Sequence, residues 1–208
     1  MTERSFYEDS AKAAAKATIQ AIEAQTAAEV VIALRKHSGW YRSADYLFGA
    51  LLALLALVAI LVLPASFRMY AVPVDLIVAF AIGVVLCGRS PSIRRLFTWP
   101  AQRRANVQAA AKAAFVDLGV SRTTGRWGVL IYLSMLERDA EVIPDVGLDL
   151  AAMGDEWPKA VAAIRAALAR MDFEGFRVAA LALGPILGKA HARREDDVNE
   201  LSDEVSAS

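Results

Sequence analysis

The chain is poor in the residues that metal and redox chemistry use. It has one cysteine, Cys87, and two histidines, His37 and His191, among 208 residues. A lone cysteine excludes an internal disulfide and every cysteine-rich metal site, and the two histidines do not form the His-x-x-x-His pair of a zinc helix. No Gly-x-x-x-x-Gly-Lys-Ser/Thr loop, Gly-x-Ser-x-Gly elbow or Gly-x-Gly-x-x-Gly turn occurs. The usual nucleotide-binding and serine-nucleophile signatures are therefore missing. Net charge is missing too: 23 Lys and Arg balance 23 Asp and Glu.

What the chain does have is two apolar runs set into a sequence that otherwise reads as one soluble domain. Tyr46 to Leu63 carries no charge, and Tyr70 to Cys87 carries only Asp75. At about 1.5 Å per residue, roughly 18 apolar residues just reach across the ~30 Å hydrocarbon layer of a bilayer. The connection Pro64 to Met69 is short, so the expectation is a transmembrane helical hairpin over 46–87. Residues 1–45 and 88–192 then form the two parts of one domain, and 193–208 an acidic tail around Glu195-Asp196-Asp197.

Basic residues near span ends stay in the cytoplasm. Arg35, Lys36 and Arg42 precede the first run, and Arg89, Arg94, Arg95, Arg103 and Arg104 follow the second, whereas the hairpin loop has only Arg68. Both termini are thus predicted to be cytoplasmic. Ser10 to Thr26 reads as a polar, alanine-rich helix and not as the apolar core of a signal peptide, so the first run serves as its own insertion signal. Arg42, Arg89, Arg94, Arg95 and Trp99 are the predicted membrane-interface residues. Because the basic cluster adjoins the spans, anionic lipid accounts for it better than nucleic acid does. Cys87 is expected to pack, buried, at the cytoplasmic end of the second run.

Asp75 and Pro73 weaken the second run. An Asp at mid-span costs ~2.5 to 3.5 kcal/mol, against roughly 0.3 to 0.6 returned by each of ten Val, Ile, Leu and Phe residues. Asp75 lies about one turn from the loop, where it reaches interfacial water. A proton path would need polar partners in the first run, and none is there.

In the flanks, Ser5-Phe6-Tyr7-Glu8 has capping-box spacing and opens a helix to about Gln25. Glu29 to Leu34 reads as a strand buried on both faces. Ser90-Pro91 starts a membrane-surface segment (90–99), Pro100 opens a helix over 101–118, and Gly119 stops it. Trp127 to Ser134 and Ala140 to Pro144 read as an antiparallel pair turned at Glu137-Arg138-Asp139. Trp157, Val161, Ile164 and Leu168 recur at helical spacing, and a last helix runs from about Phe173 to Ala192 with a bend near Gly184-Pro185. The order predicts an α/β fold, a small mixed sheet layered with helices.

Glu29-Val30-Val31, then Thr124 through Tyr132, then Val142 through Leu148, followed by a Trp157-led helix, resemble the TPM domain family. The tail Asp196 to Glu204 resembles the ending of bacterial members with membrane hairpins, which implies a bacterial inner membrane as the location. The family includes thylakoid lumen proteins and bacterial membrane proteins, and the resemblance implies its α/β sandwich. Some plant members are described as acid phosphatases and some members bind calcium. Carried over, this points to Asp145 and Asp149 as ligands for calcium or magnesium, with Asp155 and Glu156 nearby. Such carboxylates would polarise a phosphomonoester and orient water. Read from the residues alone, Asp145 and Gly147 make a turn and Asp155 and Glu156 suit a helix N-terminus. Ser121 to Arg126 reads either as a basic loop for a phosphate or as a plain connection. Two functions stand: a membrane-held interaction or assembly module with a membrane-protein partner, or a metal-assisted phosphomonoester hydrolase.

Overall fold

A computed structural model of the chain describes residues 8–63, 68–193, 201 and 205–207. The capping box at Ser5 to Glu8 falls mainly outside these residues, as does most of the acidic tail. Two compact units emerge: residues up to Ser38 together with those from Arg104, and the continuous stretch Gly39–Arg103.

The first unit is mixed α/β. Helix α1 (Asp9–Glu23) leads to strand β1 (Glu29–Arg35), and β2 (Gly128–Ser134) lies parallel to it in the register Glu29↔Gly128 to Arg35↔Ser134. β3 (Asp139–Pro144) returns antiparallel to β2, with Arg138 at φ 51° in the turn. A two-residue strand, β4 (Ser206–Ala207), pairs parallel with the far edge of β1, giving the order β3-β2-β1-β4.

Both faces of the sheet are covered, which is why β1 and β2 read as unbroken apolar runs without alternation. Side chains at successive positions point to opposite faces. Val30, Ile32, Leu34, Val129, Ile131 and Leu133 enter one core with Ile19 and Ile22 of α1. That core is closed by α7 (Glu156–Ala169), α8 (Phe173–Leu181) and α9 (Leu183–Ala190). Val31, Ala33, Leu130 and Tyr132 face the other way, onto Val107, Ala111 and Ala114 of α5 (Pro100–Asp117). Burial of each such Leu, Ile or Val contributes about 1.5–3 kcal/mol. Gly119 sits at φ 69° beyond α5, the left-handed stop expected there. The predicted final helix is two, separated at Ala182, one turn before Pro185. A short helix, α6 (Leu150–Met153), follows β3.

The second unit is a helical hairpin. α2 (Arg42–Val62) and α3 (Val72–Arg89) are both long and apolar enough to cross a membrane by length and composition. They pack on each other at two glycines. A Cβ built on Gly83 would stand 2.7 Å from the Cα of Gly49, and one on Gly49 2.9 Å from the carbonyl of Phe80. Such distances leave room for hydrogen only, so the backbones touch. Asp75 falls in the exposed first turn of α3, beside Pro73 at its start. The short helix α4 (Pro91–Leu96) covers most of the predicted surface segment, and Ser90 caps it by accepting the Ile93 N–H at 3.4 Å. Segment 90–99 belongs with this hairpin unit.

Candidate functional site

Two loops meet at the end of the sheet where β2 begins and β3 ends. The first is Thr123 to Trp127, preceded by a single 3-10 turn at Val120–Arg122. The second is Asp145 to Asp149. Thr123 anchors the first: its carbonyl accepts the Arg126 N–H at 3.0 Å and its hydroxyl the Trp127 N–H at 3.1 Å. This turn puts Arg126 in the left-handed region, at φ 57°. Gly147 lies so close that a Cβ there would be 2.4 Å from the Gly125 carbonyl. Its N–H donates to the Arg126 carbonyl at 3.0 Å. The loops are therefore interlocked by main chain.

The side chains add a fork. Arg126 Nε and Nη2 donate to Asp145 Oδ2 and Oδ1 at 2.8 and 2.9 Å, and the Val146 N–H donates to Oδ1 at 2.7 Å. The Asp145 side chain is 1% exposed. Burial alone pushes its carboxyl up, but the Arg126 fork, the Val146 amide and the guanidinium charge outweigh that and hold it below the usual carboxylate range. Asp149 is placed differently. It is exposed, at the N-cap of α6, where Oδ1 accepts the Ala151 and Ala152 amides at 3.0 and 3.2 Å. Glu156 pairs with Lys189 at 2.7 Å, and Asp155 occupies the N-cap of α7. Among the described residues, no three His, Cys, Asp or Glu side chains gather as a metal site. As it stands, the Asp145 carboxylate is neutralised by a guanidinium, and a divalent ion would have to displace it.

Asp145→Ala is expected to cost about 1–3 kcal/mol, the loss of a buried acceptor with its donors left behind. The sign with pH follows from the lowered carboxyl. Its contribution is complete above the unfolded value of roughly 3.9 and is lost as pH falls through the still lower folded value. Unfolding curves of wild type and variant should differ at pH 7 and converge in strong acid.

The base of the hairpin holds the predicted interface residues. Arg94 Nε and Nη2 donate to Asp45 Oδ1 and Oδ2 at 2.8 and 2.6 Å, the acceptor being 6% exposed. The Arg42 guanidinium lies 5.2 Å above the Trp40 ring, and Arg95 donates to Ser92 Oγ at 3.1 Å. Arg89 closes α3, and Trp99 is 80% exposed. Cys87 is buried, as its setting suggested.

A solved structure shares this fold. It is the NMR structure of the BA42 protein from the psychrophilic bacterium Bizionia argentinensis, similar over 95% of this chain and 92% of its own, with a TM-score of 0.56 and 16% identity. At that identity the likeness speaks to fold alone. No protein-family model and no curated protein matches the chain.

Two groups of residues escaped the sequence reading. Trp127 stacks on His191, centroids 4.5 Å apart, and the His191 carbonyl accepts from the Thr26 hydroxyl and the Ala27 N–H at 2.8 and 3.0 Å. At the opposite end of β1 and β2 a polar chain is buried. Ser134 donates to Glu137 Oε2 at 2.5 Å, Ser38 Oγ meets Ser134 Oγ at 2.6 Å and Tyr132 OH at 3.0 Å, and the Ser38 N–H donates to Glu137 Oε1 at 2.8 Å. Burial raises the Tyr132 hydroxyl above its ordinary value, so it stays a donor at neutral pH. Ser38 and Ser134 stand 96 positions apart, and no local pattern links them. Ser134 and Glu137, three apart, were legible only as a turn.

Proposed function

We propose that the chain is a membrane-anchored module: a TPM-like α/β domain interrupted by a hairpin that spans a bacterial inner membrane twice, with both termini cytoplasmic, serving to bind or assemble membrane-protein complexes. The observation that carries this reading is the outward face of the hairpin. Leu54, Leu55, Val58, Leu61 and Val62 of α2 and Val74, Ile77 and Val78 of α3 are all exposed, although the two helices grip each other closely. A soluble protein buries such a surface; hydrocarbon covers it at no cost. The charges at the two ends agree, since the base carries Arg42, Arg89, Arg94 and Arg95 against Asp45. The two loops joined by Arg126 and Asp145 support a binding role over hydrolysis, because the buried carboxylate already holds a cation of the protein's own.

The test has two parts. In cells, Lys159→Cys should react with a membrane-impermeant thiol reagent only after the inner membrane is opened, and Met69→Cys should react without opening it. The reverse pattern overturns the orientation. Extraction in mild detergent should recover a stoichiometric membrane-protein partner; repeated recovery of the chain alone would count against assembly.

A further inference from the structure

The foot of the hairpin carries a cleft. Leu47 of α2 and residues Leu96 to Pro100 line a hollow of about 320 Å³, inside the roughly 300–1,000 Å³ of small-molecule sites. All of its walls belong to the hairpin unit, and two ties fix their spacing. The Arg94 and Asp45 fork joins α4 to the start of α2, and Phe48 meets Phe97 edge to face, with centroids 5.2 Å apart. The cleft is thus formed before anything enters it, which lowers the cost of ordering on binding.

Its chemistry is divided. Leucine, phenylalanine, tryptophan and proline make the walls, and the one polar side chain, Thr98, is buried and donates to the Arg94 carbonyl at 2.8 Å. A group inside therefore meets apolar surface. Leu96 is 81% exposed and Trp99 80%, so that surface continues outward to the rim. Beside the rim the charge has one sign. Arg103 Nη1 donates at 2.7 Å to the carbonyl of Arg95, the residue before Leu96, which sets a guanidinium at the edge with further N–H donors in its fork. Between Asp75 and Asp117 the chain has no Asp or Glu, yet it has Arg89, Arg94, Arg95, Arg103, Arg104 and Lys112. An occupant with an apolar tail and an anionic head matches both parts. Free phosphate matches only the second, and an apolar helix of another protein only the first.

We propose that this cleft holds one anionic phospholipid, an acyl chain lying between Leu47, Leu96 and Trp99 and the phosphate accepting hydrogen bonds from Arg103. Arginine suits that role because its planar fork meets phosphate oxygens two at a time. The proposal rests on the membrane reading of the hairpin and deepens it, from general contact with lipid to one bound molecule. Its test is run in micelles, so the result does not depend on which way the hairpin inserts.

Native mass spectrometry of the full chain in mild detergent, with equal amounts of dioleoyl phosphatidylglycerol and dioleoyl phosphatidylcholine, counts the lipids retained. Wild type should hold one phosphatidylglycerol about tenfold more tightly than phosphatidylcholine, the scale of one charge-assisted contact. Arg103→Gln should remove that preference. Leu47→Trp, which fills the cleft from a position 56% exposed, should lower retention of phosphatidylglycerol about tenfold. Equal retention of the two lipids by wild type, or unchanged retention in either variant, overturns the proposal. Inorganic phosphate should displace no more lipid than chloride of equal ionic strength does. Greater displacement would mean that the head alone is recognised, and it overturns the proposal too. If circular dichroism shows that a variant has lost helix, the preference of wild type decides alone. Thiol labelling that reverses the orientation while phosphatidylglycerol is still selected overturns the orientation only, and the opposite pair of results overturns the lipid site only.

Discussion

Gly83→Leu is expected to separate the two hairpin helices and to lower the stability of the hairpin by about 3 kcal/mol, the upper end of what overpacking costs. A leucine needs space that Gly49 occupies with backbone, the nearest atom being its Cα at 2.7 Å from the new Cβ. Leu52 is also close, its Cβ 3.3 Å away. Neither atom can turn aside, since a Cβ is fixed to its own backbone and a helix backbone cannot move without its neighbours. The whole of α2 must retreat from α3, and contacts such as the Tyr46 and Phe80 stack, with centroids 6.4 Å apart, go with it. SDS titration of the full chain in mixed micelles should show the loss. Val78→Leu, on the exposed face of the same helix, is the control and should leave the curve unchanged. Equal curves for wild type and Gly83→Leu would mean that the close approach is not what holds the hairpin.

The second large effect concerns the hairpin base. Arg94→Met should cost about 3 kcal/mol, because it leaves the buried Asp45 carboxylate with no partner of opposite charge bonded to it. The estimate takes the lower end of the range for a broken buried pair, as 27% of the Arg94 side chain meets solvent. The Asp45 carboxylate raises the Arg94 guanidinium above its ordinary value, so Arg94 is charged at any working pH. Asp45→Asn combined with Arg94→Met should recover most of the loss, since a neutral amide is far cheaper to bury than an unpaired charge. A double-mutant cycle by the same SDS titration measures this coupling. Additive effects of the two substitutions would show that the fork contributes nothing.

Both predictions rest on features that no stretch of sequence displays. Gly49 and Gly83 read as ordinary small residues within apolar runs, and only the crossing of the helices makes them necessary. Asp45 and Arg94 are 49 positions apart, and the basic cluster around Arg94 read as interface charge alone. One member of it also pairs with Asp45 at the start of α2. The acidic residues after β3 show the same limit. Asp145 and Asp149 are four positions apart and alike in chemistry, yet one is buried against Arg126 and the other caps a helix in solvent.

Local signals carried much of the fold. The unbroken apolar run at Glu29 to Leu34 announced a strand covered on both faces, and Trp127 to Ser134 a strand; two cores, one on each side of the sheet, account for both runs. Ser90 before Pro91, Gly119 after α5 and the Glu137 to Asp139 turn all act where a chain of those residue types must cap, stop or reverse. Each is decided within a few residues by sterics and by the hydrogen bonds a short segment can make with itself.

The sequence by itself determined the order of the main elements, the mixed α/β character and the two apolar helices, because helix and strand periods and apolar content are properties of neighbours along the chain; α6, β4 and the division of the last helix lay outside that reading. Tertiary structure alone decided that Ser206–Ala207 pairs with β1, that Arg126 neutralises Asp145, and that two glycines set the hairpin crossing. These depend on which distant residues come within 3 Å of each other, and that distance is set by how whole elements pack.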